Sequence, residues 1–266
     1  MTDKSQLQVA GASVEVHDYG AHVTSWRTAD GVERLFLSQR AEFGAGKAIR
    51  GGVPIIFPQF AGLGPLPKHG FARTKSWQRV SSNADSVLFT LQDDAATRAN
   101  WPHAFTAEYL IQLGDNRLQM TLCIRNTGVQ AFTFTAALHT YLRVTDIDRV
   151  SVTGLVGLRY SDSAAGGAMA LENSSAVRIA GEVDRIYFDA LEPIVVHESG
   201  RTLECSARGF TDAVIWNPGA VKAAALADLE PEGYRHMLCV EAAIIGTPVS
   251  LLPGESWSGA QQLTLA

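Results

Sequence analysis

Residues 105–138 decide how this chain is read. They run Phe105-Thr106-Ala107-Glu108-Tyr109-Leu110-Ile111-Gln112-Leu113, a Gly114-Asp115-Asn116 break, Arg117-Leu118-Gln119-Met120-Thr121-Leu122-Cys123-Ile124-Arg125, an Asn126-Thr127-Gly128 break, and Phe132-Thr133-Phe134-Thr135-Ala136-Ala137-Leu138. Within each run every second residue is apolar, with Leu110 interrupting the polar side of the first. A period of two belongs to a strand with one buried face. Gly, Asp and Asn between the runs supply turn chemistry. The stretch predicts three consecutive antiparallel strands in a meander.

The same grammar extends towards both ends. Val14 and Val16 alternate with Glu15 and His17, and Leu238, Val240, Ala242 and Ile244 alternate with Cys239, Glu241 and Ala243. Helical spacing is confined to Thr97–Trp101 and Ala223–Leu229, a turn or two each. Residues 161–167 are small and polar and read as a loop, and neither a low-complexity linker nor a repeat divides the chain. Many short strands punctuated by 24 glycines favour a sandwich or barrel over alternating strands and helices. The expectation is an all-β protein, one large antiparallel β-sandwich domain over residues 1–266.

Composition narrows the function classes. Hydrophobic residues make up 46% of the chain and charged residues 18%, enough apolar material for a sizeable core. The net charge of −5 and the lack of a basic tract argue against nucleic acid as a partner. No run approaches the roughly 20 apolar residues that span a bilayer, and the first residues lack a signal-peptide pattern. Cys123, Cys205 and Cys239 are odd in number, far apart and without a CxxC pair. They read as buried thiols of a reducing, cytoplasmic protein. A monomer is the default.

Four segments depart from strand grammar. Arg50-Gly51-Gly52-Val53-Pro54-Ile55-Ile56-Phe57-Pro58-Gln59-Phe60 carries two prolines within five residues, which excludes a central strand. Its Gly-Gly pair permits close backbone approach. Lys68-His69-Gly70-Phe71-Ala72-Arg73 packs two cations and a histidine into six residues. Arg50, Lys68 and Arg73 together would make a positive pocket in an acidic protein, and a guanidinium fork suits phosphate. The competing reading is a solvated basic loop. His139 lies in the less apolar row of its strand, with Thr135, Tyr141 and Arg143, where it faces a cleft or caps a surface strand. Glu241 is the only charge in Met237–Ile245, a costly place for a carboxylate that is neither partnered nor working. An outward-facing strand residue is its alternative.

The blocks IRGGVPIIFPQF, KHGFAR, ALHTYLRV, EVDRIYFD, VIWNPG and YRHMLCVEAA, together with Trp26 and the closing Leu252–Trp257 segment, resemble the glucose-6-phosphate 1-epimerases. These form the hexose-6-phosphate mutarotase branch of the aldose 1-epimerase superfamily, and the blocks follow the family's order along nearly the whole chain. The resemblance implies a galactose-mutarotase-like β-sandwich with a sugar cleft on one sheet face. It implies His139 as general acid and Glu241 as general base. It implies Arg50, Lys68, His69, Arg73 and Asp184 as substrate-binding residues, with Lys68 standing where relatives often carry Gln. Neither a metal nor another cofactor is implied, in keeping with the lack of a nucleotide-binding glycine motif or HExxH spacing. The expected partner is a small sugar phosphate. Competing readings are an epimerase of free hexoses, a non-catalytic sugar-phosphate sensor, and a glycoside hydrolase using Asp93-Asp94. Adjacent strand residues point to opposite faces, so that last pair reads as a turn.

Overall fold

Alternation becomes burial along residues 105–126. A computed structural model describes residues 3–44, 46–198 and 200–265. In it Phe105–Leu113 buries every odd position and Arg117–Asn126 every even one. The two form an antiparallel hairpin that pairs Phe105 with Asn126 and Leu113 with Leu118. They lie inside a nine-stranded sheet that also holds Ser256–Leu265. A second sheet has eight strands, and a three-stranded sheet forms from Lys4–Val9, Ala12–His17 and His22–Arg27. One apolar cluster draws on all three, from Leu7 and Val14 through Tyr109 and Val240 to Leu263. The fold is an all-β antiparallel sandwich.

The meander fails at its third strand. Phe132–Leu138 leaves the hairpin and pairs with Met237–Leu251 in the eight-stranded sheet. Asn126 is the pivot: its amide nitrogen donates to the Gln130 and Leu251 carbonyls at 2.8 and 2.9 Å, and its side-chain oxygen accepts from the Gly128 amide. Both sheets bury one face against the other. Alternation therefore reports which face of a strand is inside, and leaves open which sheet it joins.

The eight-stranded sheet runs Ala168–Leu171, Arg159–Asp162, Val183–Tyr187, Asp212–Asn217, Met237–Leu251, Phe132–Leu138 and Ile55–Ile56, with Tyr141–Arg143 continuing beside Met237–Leu251. Both of its faces are covered. Val240, Ala242 and Ile215 join the main core, while Cys239, Ala243, Val214 and Trp216 form a second apolar cluster on the outer face with Ala137 and Tyr141. That double burial explains an apolar run too long for a half-exposed strand. The Pro54–Pro58 segment contributes only two residues, at the sheet's edge, as its prolines dictate.

Asp94 caps the Ala95–Asn100 helix by accepting from the Thr97 amide at 2.6 Å, and Thr97 returns the bond to the Asp94 amide. Asp93 accepts from the Phe105 amide and pairs with Arg98. These carboxylates are structural. The second helix is Gly219–Ala224, earlier than the Ala223–Leu229 spacing suggests, because Asn217 accepts from the Gly219 amide and starts the turn there. Residues 161–167 hold the end of a strand and a short 3₁₀ turn. Cys205 and Cys239 are buried, whereas Cys123 is partly exposed. Among the described residues no helix is long and apolar enough to cross a membrane.

Candidate active site

Register brings the acid–base candidates together. Met237–Leu251 pairs Ala242 with Leu138 and Cys239 with Tyr141. Continued through the gap, that register sets His139 opposite Glu241. Directly opposed antiparallel residues share a face, with Cβ atoms about 4.5–5.5 Å apart. His139 Nδ1 accordingly lies 3.4 Å from Glu241 Oε1. Glu241 is 2% exposed and His139 8%, which removes the outward-facing and surface-cap alternatives. The pair stands side by side on the floor of a cleft on the outer face.

Aromatic rings fix the imidazole. Tyr141 stacks on His139 at 4.7 Å and 8°, and Trp216 meets it edge-on at 5.8 Å. His69 approaches at 5.7 Å from a loop in which both His69 and Gly70 have positive φ. Only glycine fits at position 70, since a Cβ would strike the Phe57 carbonyl. Gly52, below Arg50, is similarly pressed against the Val23 carbonyl and the His22 ring. Both loops are thus pinned to the sheet edge and carry the cations inward.

Those cations differ in how far they are committed. Arg50 donates from Nε and Nη2 to Asp228 at 3.2 and 3.1 Å and from Nη1 to the Tyr141 hydroxyl at 3.0 Å. Burial opposes its charge, but Tyr141 and Asp228 outweigh that and hold its pKa above the usual arginine value. Arg73 donates to the Lys68 carbonyl at 3.1 Å, while its buried Nε has no protein partner. Asp184 sits 3.4 Å from Lys222, and burial raises its pKa.

Arg50, Lys68, His69, Arg73, His139, Asp184 and Glu241 all line one cleft of about 490 Å³. That lies within the roughly 300–1,000 Å³ typical of small-molecule sites. Buried polar atoms normally find partners. Here Arg73 Nε, His139 Nδ1 and Glu241 Oε2 make no hydrogen bond within the protein, and all three residues border the same cleft. Among the described residues no group of three or more His, Cys, Asp or Glu side chains is arranged to hold a metal ion.

The sequence profile of the aldose 1-epimerase family matches residues 3–264. The chain belongs to the aldose 1-epimerase family. Two curated relatives are each named "Putative glucose-6-phosphate 1-epimerase". The one from Cenchrus ciliaris is 38% identical over 92% of this chain and 79% of its own length. The one from Escherichia coli is 34% identical over 84% and 77%. A crystal structure from Salmonella typhimurium, described as a "putative mutarotase", superposes with a TM-score of 0.88 at 29% identity, covering 99% of this chain and 93% of that one. A galactose mutarotase related enzyme from Lactobacillus acidophilus shares the fold at a TM-score of 0.81 and 15% identity, over 99% and 97% of the two chains.

The protein is therefore an epimerase acting on an aldose. The cleft is electrostatically polarised. Burial first, then the neighbouring His69, Arg73 and Arg50, pushes the His139 pKa well below its ordinary value. Burial first, then Asp184, pushes Glu241 well above the carboxylate range, against the pull of Arg73 and Lys68. His69 is driven down to about 3 by burial and the same cations, so it is neutral, with Nδ1 accepting from the Ala61 amide at 3.2 Å. Sequence reasoning about this epimerase missed Trp216, Lys222 and Asp228. Trp216 was detectable, because it follows Val214 by two in a strand ending at Asn217. Asp228 carried no signal, since its meaning comes from Arg50, 178 positions away.

Proposed function

We propose that this aldose 1-epimerase interconverts the α- and β-anomers of a hexose 6-phosphate, glucose 6-phosphate foremost, by proton transfer alone. The carrying observation is a buried carboxylate and imidazole opposed at 3.4 Å beneath Arg73, Lys68 and Arg50. The curated relatives' names include glucose 6-phosphate, which supports the same reading.

In ring opening the Glu241 carboxylate takes the proton of the anomeric hydroxyl and the His139 imidazolium gives one to the ring oxygen. The bond from C1 to the ring oxygen breaks as the C1 carbonyl forms. Rotation about C1–C2 and the reverse transfers close the ring on the other face. Both oxygens belong to C1, so an acid and base standing side by side reach them together. The pair carries one proton throughout. Burial alone leaves that proton on Glu241, the distribution that ring closure uses. Cations that depress His139 are the same ones that would hold a phosphate. A bound dianion offsets their field at both groups, because Arg73 also lowers Glu241, so it raises the proton affinity of the imidazole and the carboxylate together.

Arg73 and Lys68 are the freer phosphate donors, since Asp228 and Tyr141 occupy the Arg50 fork. Asp184, as a carboxylate, suits sugar hydroxyls and repels phosphate. The commitment of Arg50 is also what an epimerase of free hexoses would tolerate, so the decisive experiment compares both substrates. NMR exchange between anomers should rise with enzyme for glucose 6-phosphate and be unaffected by EDTA. Arg73→Ala should weaken the phosphorylated sugar by about 1.5–3 kcal/mol while hardly changing glucose. Equal losses for the two sugars would favour the free-hexose reading, and loss of exchange on chelation, restored by a divalent ion, would end the metal-free one.

A further inference from the structure

Below the catalytic floor lies a polar contact that the chemistry above does not use. Gln261 belongs to Ser256–Leu265 in the nine-stranded sheet and is 2% exposed. Its side chain crosses the sandwich. Oε1 accepts from the Thr140 hydroxyl at 2.5 Å, and Nε2 donates to the Val240 carbonyl at 2.9 Å. Thr140, fully buried, follows His139, and Val240 precedes Glu241. The Val240 amide donates to the Thr140 carbonyl at 3.0 Å, closing the arrangement between the two strands.

The position of this contact is what gives it meaning. At His139 the backbone amide still donates to the Pro54 carbonyl of the edge segment at 3.0 Å, but the Thr140 amide turns back to the Leu138 carbonyl at 2.9 Å, and pairing with Met237–Leu251 resumes at Tyr141. His139 is therefore carried by the irregular part of the sheet, opposite Glu241 in a strand that stays regularly paired with Val214 on its other side. Other inward residues there, such as Leu138, Ala242 and Ile215, are apolar. A buried amide costs free energy unless its hydrogen bonds are made, and an apolar residue would fill the same space. What an apolar residue lacks is directional hold on the neighbours of both catalytic groups.

We infer that Gln261 is a positioning residue, whose amide, bonded to Thr140 and Val240, sets the spacing of His139 and Glu241 from the opposite sheet. This rests on the reading of those two residues as acid and base. Misplacement of about 1 Å costs up to roughly 100-fold in rate even when binding survives.

The test compares the wild type with Gln261→Met, Thr140→Val and Thr140→Ser in the full chain. Anomer exchange of glucose 6-phosphate is followed by NMR, the His139 imidazole is titrated by NMR, and Tm is measured. Gln261→Met and Thr140→Val should lower kcat by roughly 10–100-fold with KM changed by no more than about threefold. The His139 resonances should shift and titrate at a different pH in both. Thr140→Ser keeps the hydroxyl and should restore wild-type behaviour in each readout. If Gln261→Met does not fold, the Val and Ser variants decide alone. Unmoved His139 signals with unchanged kcat would overturn the inference and leave a core hydrogen bond, as would equal losses in Thr140→Ser and Thr140→Val. If the wild type fails to exchange anomers, the epimerase reading of this substrate fails, yet the His139 titration still decides what Gln261 does.

Discussion

Glu241 shows how much one residue can disclose and where that stops. A lone carboxylate in Met237–Ile245 is legible from sequence as an anomaly, because an unpaired buried charge is expensive. The structure supplies what the anomaly lacked: an imidazole 3.4 Å away and an Oε2 without a protein partner. If the two groups exchange protons with substrate, Glu241→Gln and His139→Ala should each lower turnover by roughly 10²–10⁴. Affinity should change far less, since neither holds the phosphate. Single-turnover exchange with a binding titration separates the two effects. A Gln variant with near-normal exchange would make the carboxylate structural. Lys68 and Arg73 were legible as a cluster in KHGFAR and Arg50 at the head of its Gly-Gly segment, but their inequality was not, because it arises from Asp228 and Tyr141 closing on Arg50.

At the scale of elements, alternation identified the strands along residues 105–138 and assigned their inner faces correctly. It misassigned the partner of Phe132–Leu138. A turn sequence such as Asn126-Thr127-Gly128 permits a hairpin and equally permits a crossing between sheets, and the choice is made by tertiary bonds to Gln130 and Leu251. That crossing delivers His139 to the sheet that carries Glu241, as the proposed acid–base pair requires. Asn126 is fully buried and its side chain bonds on both sides. Asn126→Ala would strand the Leu251 carbonyl in the interior, at about 1–3 kcal/mol for that group alone. Urea unfolding should therefore show a loss of about 2–4 kcal/mol. Turnover of the folded fraction should stay close to wild type, since the register that opposes His139 and Glu241 is held by the Leu138–Ala242 and Tyr141–Cys239 pairs. Unchanged unfolding would mean that the crossing needs no such anchor.

The whole molecule bears the electrostatic cost of its buried histidines. His22, His69 and His139 are buried, and burial lowers His22 to about 4, His69 to about 3 and His139 well below the ordinary value of 6.5. Each folded-state value is depressed, so below pH 6.5 the unfolded chain binds more protons than the folded one. The stability these groups contribute is complete above the unfolded pKa and is lost as pH falls towards the folded values. The loss approaches about 1.4 kcal/mol per pH unit for each imidazole. Glu241 and Asp184 act in the opposite sense, because their pKa values are raised, but they are two groups against three. Carboxylates with lowered values, such as Glu15 and Glu198, lose their contribution only below their unfolded value of 4.5. The window from about pH 6.5 to 4.5 thus belongs mainly to the histidines, and Tm should fall steadily across it. His22 isolates the effect, since it lies outside the cleft lining, donates from Nε2 to the Gly51 carbonyl at 2.7 Å and leaves Nδ1 buried without a partner. A proton added at Nδ1 would be a buried, unbonded charge. His22→Gln can retain a donor to Gly51 while removing the titration, so its stability should fall less steeply with acid, by up to one proton's worth of slope. Stability curves measured by urea unfolding from pH 7.5 to 4.5 decide this: parallel curves for the two proteins would show that His22 is not coupled to acid unfolding.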